Sequence, residues 1–279
     1  MVPTTSTTQA PASRAEDAAR WSVFGPGSEL FAKVGEAGVG RPVVFLHGLV
    51  GLNDHWEAVA ESVRSRARCV MFELPLLDLP GEHCSIAGVT SITKRFLDER
   101  VGEPAILVGN SFGGHVALRL AIEHPSAVRG MVLAGSSGLF ERTIFRDLVI
   151  RPSREWLARK IGDLFYDKSN VWESDIDRAY AALTQRHAAR AMARLAKSAK
   201  SDHLGDRLGR ITAPTLLLWG RNDTVTPPET AEEFNRLIPG SRLVWFDRCG
   251  HAPMMEHANA FASRMGEFLA ELDATTGRP

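Results

Sequence analysis

The pentapeptide Gly109-Asn110-Ser111-Phe112-Gly113 sets one serine in a frame of small residues. It follows the apolar run PAILV and opens FGGHVALRLAIEH, so it sits between a strand and an amphipathic helix. A chain that reverses within so few residues holds the serine in a strained conformation and projects its hydroxyl from the strand end. Side chains two before and two after would collide there, hence Gly109 and Gly113, and Gly114 lets the helix lie close to the strands. The chemistry implied is nucleophilic attack by Ser111 on a carbonyl, with the acyl group carried on the enzyme.

A serine hydroxyl needs a base. Among the nine histidines, His251 lies in the loop Arg248-Cys249-Gly250-His251 that follows the strand-like SRLVWFD, and Gly250 gives that loop freedom to aim an imidazole. His257 is the rival, but it stands at the start of the last helix, where a cap or surface role is expected. The base needs an acid to fix its tautomer. PTLLLWG ends in Gly220-Arg221-Asn222-Asp223, which places Asp223 beyond the end of the preceding strand. Asp247 is too near His251 in the chain and ends the wrong strand. The oxyanion of acyl transfer needs N–H donors. Phe112 N–H is one, and the loop after PVVFLHG offers Leu49 N–H, with Val50 as the alternative and His47 as a brace for the loop.

The elements that must position these groups read as alternating strands and helices. WSVF and ELFAKV form two early strands around the turn at Gly25-Pro26-Gly27. PVVFLHG, RARCVMFELP, PAILVGNS, VRGMVLAGSS, APTLLLWG and SRLVWFD follow as six more. Helices are expected over HWEAVAESVR, with Asn53 or Asp54 as cap, and over SIAGVTSITKRFLDERVG, FGGHVALRLAIEH, ETAEEFNRLI and ANAFASRMGEFLAEL. The pattern predicts an α/β fold: a mostly parallel eight-stranded sheet with helices on both faces.

The alternation breaks between residues 137 and 208, where RTIFRDLVI, SREWLARKIGDLFYD and SDIDRAYAALTQRHAARAMARLAKSA all read as helix. The chain therefore divides into a flexible tail over 1–20, a first core part over 21–136, an inserted helical cap over 137–208 and a second core part over 209–279. The Thr-Gly-Arg-Pro end is expected to fray. Residues 137–210 carry 15 Lys/Arg against 10 Asp/Glu. Solvated amphipathic faces account for such a bias, and the sharper expectation is that some cap arginines face the cleft and receive an anionic substrate. Phe145, Trp156, Leu157 and Phe165 are expected to pack the cap from within, some of them roofing the pocket.

Composition excludes several function classes. The 279 residues are 44% hydrophobic and 24% charged with zero formal net charge, which gives no general attraction to nucleic acid. Three cysteines are too few for a disulfide framework. No apolar signal region opens the chain and no run approaches a membrane span, so a cytoplasmic location is expected. There is no HExxH pair, CxxC pair or GxxxxGKS/T loop, and Gly35, Gly38 and Gly40 join two strands instead of opening a helix, so no metal or cofactor is predicted. Oligomeric state is not readable.

PVVFLHG, ILVGNSFGG, LLLWGRND and the Cys-Gly-His loop, in that order, resemble the α/β-hydrolase superfamily over about residues 21–275. The resemblance implies the chain order serine, acid, histidine for Ser111, Asp223 and His251. A serine at 111 excludes the similar haloalkane dehalogenase and epoxide hydrolase branches, which use aspartate there. Asn110 and the Cys-Gly-His loop are also similar to hydrolases of meta-cleavage products, which cut carbon–carbon bonds; where that branch carries a tryptophan after its histidine, this chain has Ala252. Three functions follow as expectations. The first is hydrolysis of a small ester or related acyl compound. The second is carbon–carbon cleavage of a vinylogous diketone acid, and the third is ligand binding without turnover.

Overall fold

The computed structural model describes residues 19–141 and 152–275. The expected tail up to residue 18, the helix over RTIFRDLVI with Phe145, and the frayed Thr-Gly-Arg-Pro end lie outside the described residues. Eight strands form one sheet: β1 Ala19–Ser22, β2 Phe31–Ala37, β3 Arg41–Leu46, β4 Ala67–Glu73, β5 Ala105–Asn110, β6 Val128–Ala134, β7 Thr215–Gly220 and β8 Arg242–Phe246. Their order across the sheet is β1-β2-β4-β3-β5-β6-β7-β8. β1, β2 and β4 pair antiparallel, and every other neighbour is parallel. The last two residues expected in the tail, Ala19 and Arg20, belong to β1, where they pair with Val34 and Lys33.

The parallel strands are continuous apolar runs because both faces are covered, and their side chains alternate between two cores. Val44, Leu107, Leu133 and Leu217 face one core, which contains Phe96 of α2 (Ile86–Phe96), Leu118 of α3 (Phe112–Glu123) and Phe234 of α7 (Pro228–Leu237). Val43, Ile106, Val132 and Leu218 face the other, which contains Val59 of α1 (Glu57–Val63) and Phe261 and Met265 of α9 (Ala258–Thr275). Each such fully buried side chain contributes about 1.5–3 kcal/mol over its exposed state.

Neither Asn53 nor Asp54 caps the helix after β3. A 3₁₀ turn over Asn53–Trp56 leads into α1, with Leu52 in the capping position and no side-chain bond there. The predicted caps have tertiary partners instead. Asn53 donates to Glu73 and to Met71 O at 3.1 and 3.2 Å, and Asp54 receives Arg178 at 2.7 Å.

Between β6 and β7 the described residues form α4 Arg154–Gly162, α5 Glu173–Leu183 and α6 Arg186–Ser201. α4 starts where the Ser153 hydroxyl accepts from Trp156 N at 3.2 Å. It ends five residues before the helical pattern does, and residues 163–167 run as a loop. The short helix α8 (Pro253–Glu256) precedes α9. Among the described residues no helix is long and apolar enough to cross a membrane.

Candidate active site

Ser111 stands at the junction of β5 and α3 with φ 52° and ψ −116°. That region is unfavourable for a residue with a Cβ and costs on the order of 1–3 kcal/mol, so the surroundings must hold it. They do so through the main chain: Ser111 N donates to Ala134 O, and Ser137 N donates to Ser111 O, each at 3.1 Å. The flanking glycines are required by contact. A Cβ on Gly113 would lie 2.2 Å from Leu46 O, and one on Gly109 would lie 2.6 Å from the Gly113 carbonyl.

Asp223 and His251 meet beyond the carboxyl ends of β7 and β8. Asp223 Oδ2 lies 2.8 Å from His251 Nδ1. Both residues are buried, at 3% and 5% exposure, so the contact is shielded from water. The other acceptor positions of the carboxylate are filled by neutral donors: Val225 N and Thr226 N reach Oδ1 at 2.8 and 3.0 Å, and the Thr226 hydroxyl reaches Oδ2 at 2.8 Å. Asn110 fixes the histidine loop to the serine turn, since its Nδ2 donates to both Ala134 O and His251 O at 2.9 and 3.0 Å. Gly135, at φ 50°, leaves room for the pair: a Cβ there would come within 2.9 Å of His251 Nδ1. The rivals are elsewhere. Asp247 pairs with Arg221 at 2.8 Å, and His257 stacks on Phe246 with ring centroids 5.7 Å apart.

Ser111 and His251 line one cavity of about 390 Å³, together with Leu49, Val50 and Phe112. Phe112 opens the N-terminus of α3, where backbone N–H groups have no partner within the helix. Leu49 and Val50 lie in a turn closed by Gly51 N donating to Gly48 O at 3.1 Å. His47 braces that turn, with Nδ1 2.7 Å from Gly48 O. Burial holds the His47 imidazole below its ordinary pKa, which favours the neutral form suited to a structural hydrogen bond. Cys249, although two residues from His251, is no competing nucleophile: burial, with Glu256 adding to it, pushes its thiol far up.

The rest of the cavity wall is largely apolar and includes Ile161, Leu164, Phe165, Met192 and Met254. Phe165 lines the pocket and belongs with Leu157 to one buried cluster, against which Trp156 packs. Among the described residues the cations on the wall are Lys160, Lys197 and Lys200, and no arginine lines it, against the expectation of cap arginines. Sequence reasoning missed these lysines because a helix rich in Lys and Arg on several faces does not show which of them point inward. It also missed Glu141 on the same wall, whose carboxyl burial pushes up while His251 and Lys200 oppose the shift. Thr226 had a readable signal, since Asp223-Thr224-Val225-Thr226 has the spacing of an aspartate that receives bonds from the residues two and three ahead. Among the described residues no group of three His, Cys, Asp or Glu side chains could hold a metal ion.

Comparison with known proteins agrees with this fold. The alpha/beta hydrolase family model matches residues 43–264. A 2-hydroxy-6-oxo-2,4-heptadienoate hydrolase of Pseudomonas putida is 33% identical over 85% of this chain and 92% of its own. A pimeloyl-[acyl-carrier protein] methyl ester esterase of Nitrosomonas europaea is 29% identical over 81% of this chain and 94% of its own. Among solved structures, an alpha/beta hydrolase enzyme from the metagenome of Mar Chica lagoon sediments, Morocco, is 32% identical with a TM-score of 0.71, covering 87% of this chain and 96% of that one. A sheet in this strand order, a serine at the sharp turn after β5 and a match across 43–264 lead to one conclusion: the chain belongs to the α/β-hydrolase family.

Proposed function

We propose that this hydrolase cleaves a small-molecule ester or related acyl compound through an acyl-enzyme on Ser111. The observation that carries the reading is the buried 2.8 Å contact between Asp223 and His251 Nδ1, with His251 and the strained Ser111 on the wall of one cavity. Asp223 fixes the tautomer in which Nδ1 carries the proton, so that Nε2 takes the Ser111 proton as the hydroxyl attacks. Phe112 N–H and Leu49 N–H receive the oxyanion. The imidazolium then protonates the leaving alkoxide. Water, deprotonated by the same nitrogen, releases the acid and restores Ser111. Lys160, Lys197 and Lys200, on a largely apolar wall that also carries Glu141 and Asp175, favour acyl groups that end in a carboxylate.

A second reading, carbon–carbon cleavage of a vinylogous diketone acid by the same residues, is supported by the relative named as a 2-hydroxy-6-oxo-2,4-heptadienoate hydrolase. Such substrates are themselves carboxylates, so the lysines fit both.

Turnover of short p-nitrophenyl esters by Ser111→Ala tests the common core of the two readings, with an expected loss on the order of 10⁶-fold in kcat. A fluorophosphonate probe must form its adduct on Ser111. Undiminished turnover in Ser111→Ala refutes both readings, and tight saturable binding without product in the unaltered protein would mark a receptor. Decay of the absorbance of a ring-fission product, faster than ester turnover, would favour carbon–carbon cleavage.

A further inference from the structure

The loop over residues 163–167, where the helical pattern continues but α4 does not, lies across both loops of the proposed triad. The Thr224 hydroxyl, next to Asp223, donates to Asp163 O at 3.0 Å. His251 N donates to Leu164 O at 2.7 Å. Glu256 completes the junction. Its Oε1 accepts from Gly250 N at 2.6 Å, while its Oε2 accepts from Tyr166 N at 2.9 Å and Asp167 N at 3.1 Å. One carboxylate therefore joins the residue before His251 to a loop that belongs to the helical insertion. The contact has no slack: a Cβ on Gly250 would stand 2.4 Å from Leu164 O and 2.9 Å from Tyr166 N. Arg248, held at φ 52°, adds its guanidinium 5.6 Å from the Tyr166 ring centroid.

We infer that Glu256 is a positioning residue, whose carboxylate makes the aim of His251 depend on the seating of residues 163–167. The inference rests on the reading of His251 as the base. Glu256 acts through the Gly250 backbone and touches no reacting atom. A carboxylate suits the junction because it has an acceptor oxygen for each side: the backbone N–H groups of Gly250, Tyr166 and Asp167 donate to it, and the Cys249 thiol lies beside it as well. A glutamine would turn its NH₂ towards one of those donors and lose that link. The helical insertion is thereby a source of order for the base as well as a roof for the pocket. With 163–167 unseated, His251 loses the Leu164 bond directly and the Gly250 tether indirectly.

The test is steady-state kinetics of the full chain carrying Glu256→Ala or Glu256→Gln on a short p-nitrophenyl ester. In Glu256→Ala, kcat falls about 10²-fold while KM stays within about twofold, the cost expected when a reacting group is displaced by roughly 1 Å. Glu256→Gln, which keeps one side of the junction, falls between Glu256→Ala and the unaltered protein. The far-downfield proton resonance of the His251–Asp223 hydrogen bond weakens in the same order. Thermal unfolding is followed on each variant. A lowered midpoint with kcat and the downfield resonance unchanged would mean that Glu256 serves stability alone, and would overturn the inference. Should Glu256→Ala fail to fold, Glu256→Gln decides by the same two readouts. Ser111→Ala keeps the two claims apart. If it retains turnover, the triad reading falls. If it is inactive while both Glu256 variants keep full kcat, only the positioning role falls.

Discussion

Two histidine–aspartate pairs flank the serine turn, and their electrostatic surroundings differ. His251 and Asp223 meet beyond the ends of β7 and β8, on the cavity wall. His115 lies one helical turn beyond Ser111 on α3, with Nε2 3.2 Å from Asp202 at the end of α6. Asp202 also receives Arg119 at 2.9 Å and Arg207 at 2.7 Å. Its bond from His115, strengthened by the bond from Arg207 and the charge of Arg119, holds its carboxyl well below the usual range. Burial holds His115 below its ordinary pKa, helped by the same two arginines, so it stays neutral. Its other nitrogen is 3.4 Å from the Ser137 hydroxyl, which in turn is 3.3 Å from Ser111 O.

Asp223 shows the opposite arrangement. Among the described residues its hydrogen-bond donors other than His251 are two backbone amides and a hydroxyl, and no lysine or arginine pairs with it. The comparison teaches what separates a structural pair from a pair suited to acid–base work. An aspartate already neutralised by two guanidiniums gains little from a positive imidazole. An aspartate met only by dipoles stabilises an imidazolium strongly when one forms beside it.

The sharpest way to break this contrast is to remove each pair in turn. His251→Ala should cost on the order of 10⁶-fold in kcat and Asp223→Asn about 10⁴-fold, because the amide can favour the wrong tautomer. Asp202→Ala should leave kcat within about tenfold, yet lower stability by about 1–3 kcal/mol through the acceptor lost to buried His115. Ester kinetics and urea unfolding on the same preparations check both halves. Equal kinetic losses in Asp223→Asn and Asp202→Ala would abolish the distinction.

The lysines extend the comparison to the substrate. Lys197→Met should raise KM about tenfold for an ester bearing a terminal carboxylate, the value of one charge-assisted bond, and leave a neutral ester unchanged. Equal KM changes for the two esters would remove the anion preference from the proposed function.

How much of this could be read from the chain follows from how local each rule is. The serine turn is legible because one of its glycines, Gly109, is demanded by a contact within five residues, against Gly113, although Gly113 itself is demanded by the distant Leu46 O. The proximity of Asp223 to His251 follows from β7 and β8 being neighbours in a parallel sheet, which the alternating pattern implies. The inner wall of the insertion was not legible. Amphipathic helices announce a buried face without saying what covers it, and α6 presents Met192 and Lys197 to the same cavity. Residues 163–167 misled for a related reason. LFYD continues a helical pattern, but Leu164 O and the amides of Tyr166 and Asp167 bond to the His251 loop and Glu256, partners distant in the chain. Asn53 and Asp54 were likewise drawn from capping by Glu73 and Arg178.

The smallest expected effect is also the most specific to the His115 pair. The folded protein keeps His115 neutral at a pH where an unfolded chain, with an ordinary value of about 6.5, takes up a proton. Below that pH the unfolded state therefore binds more protons, and stability falls as the solution is acidified. His47, also depressed by burial, acts in the same sense. Asp202 does too, at lower pH, because its depressed carboxyl stays ionised in the folded state after unfolded carboxyls have been protonated. Each group adds at most about 1.4 kcal/mol per pH unit to the slope. Urea unfolding between pH 7 and pH 5 should thus give a shallower loss of stability in His115→Gln than in the unaltered protein, even though the variant starts less stable at pH 7. The direction matters: a charged His115 held by Asp202 would make the unaltered protein gain stability over that range relative to His115→Gln. Finding that gain would show that the arginines do not satisfy Asp202, and would make the two pairs electrostatically alike.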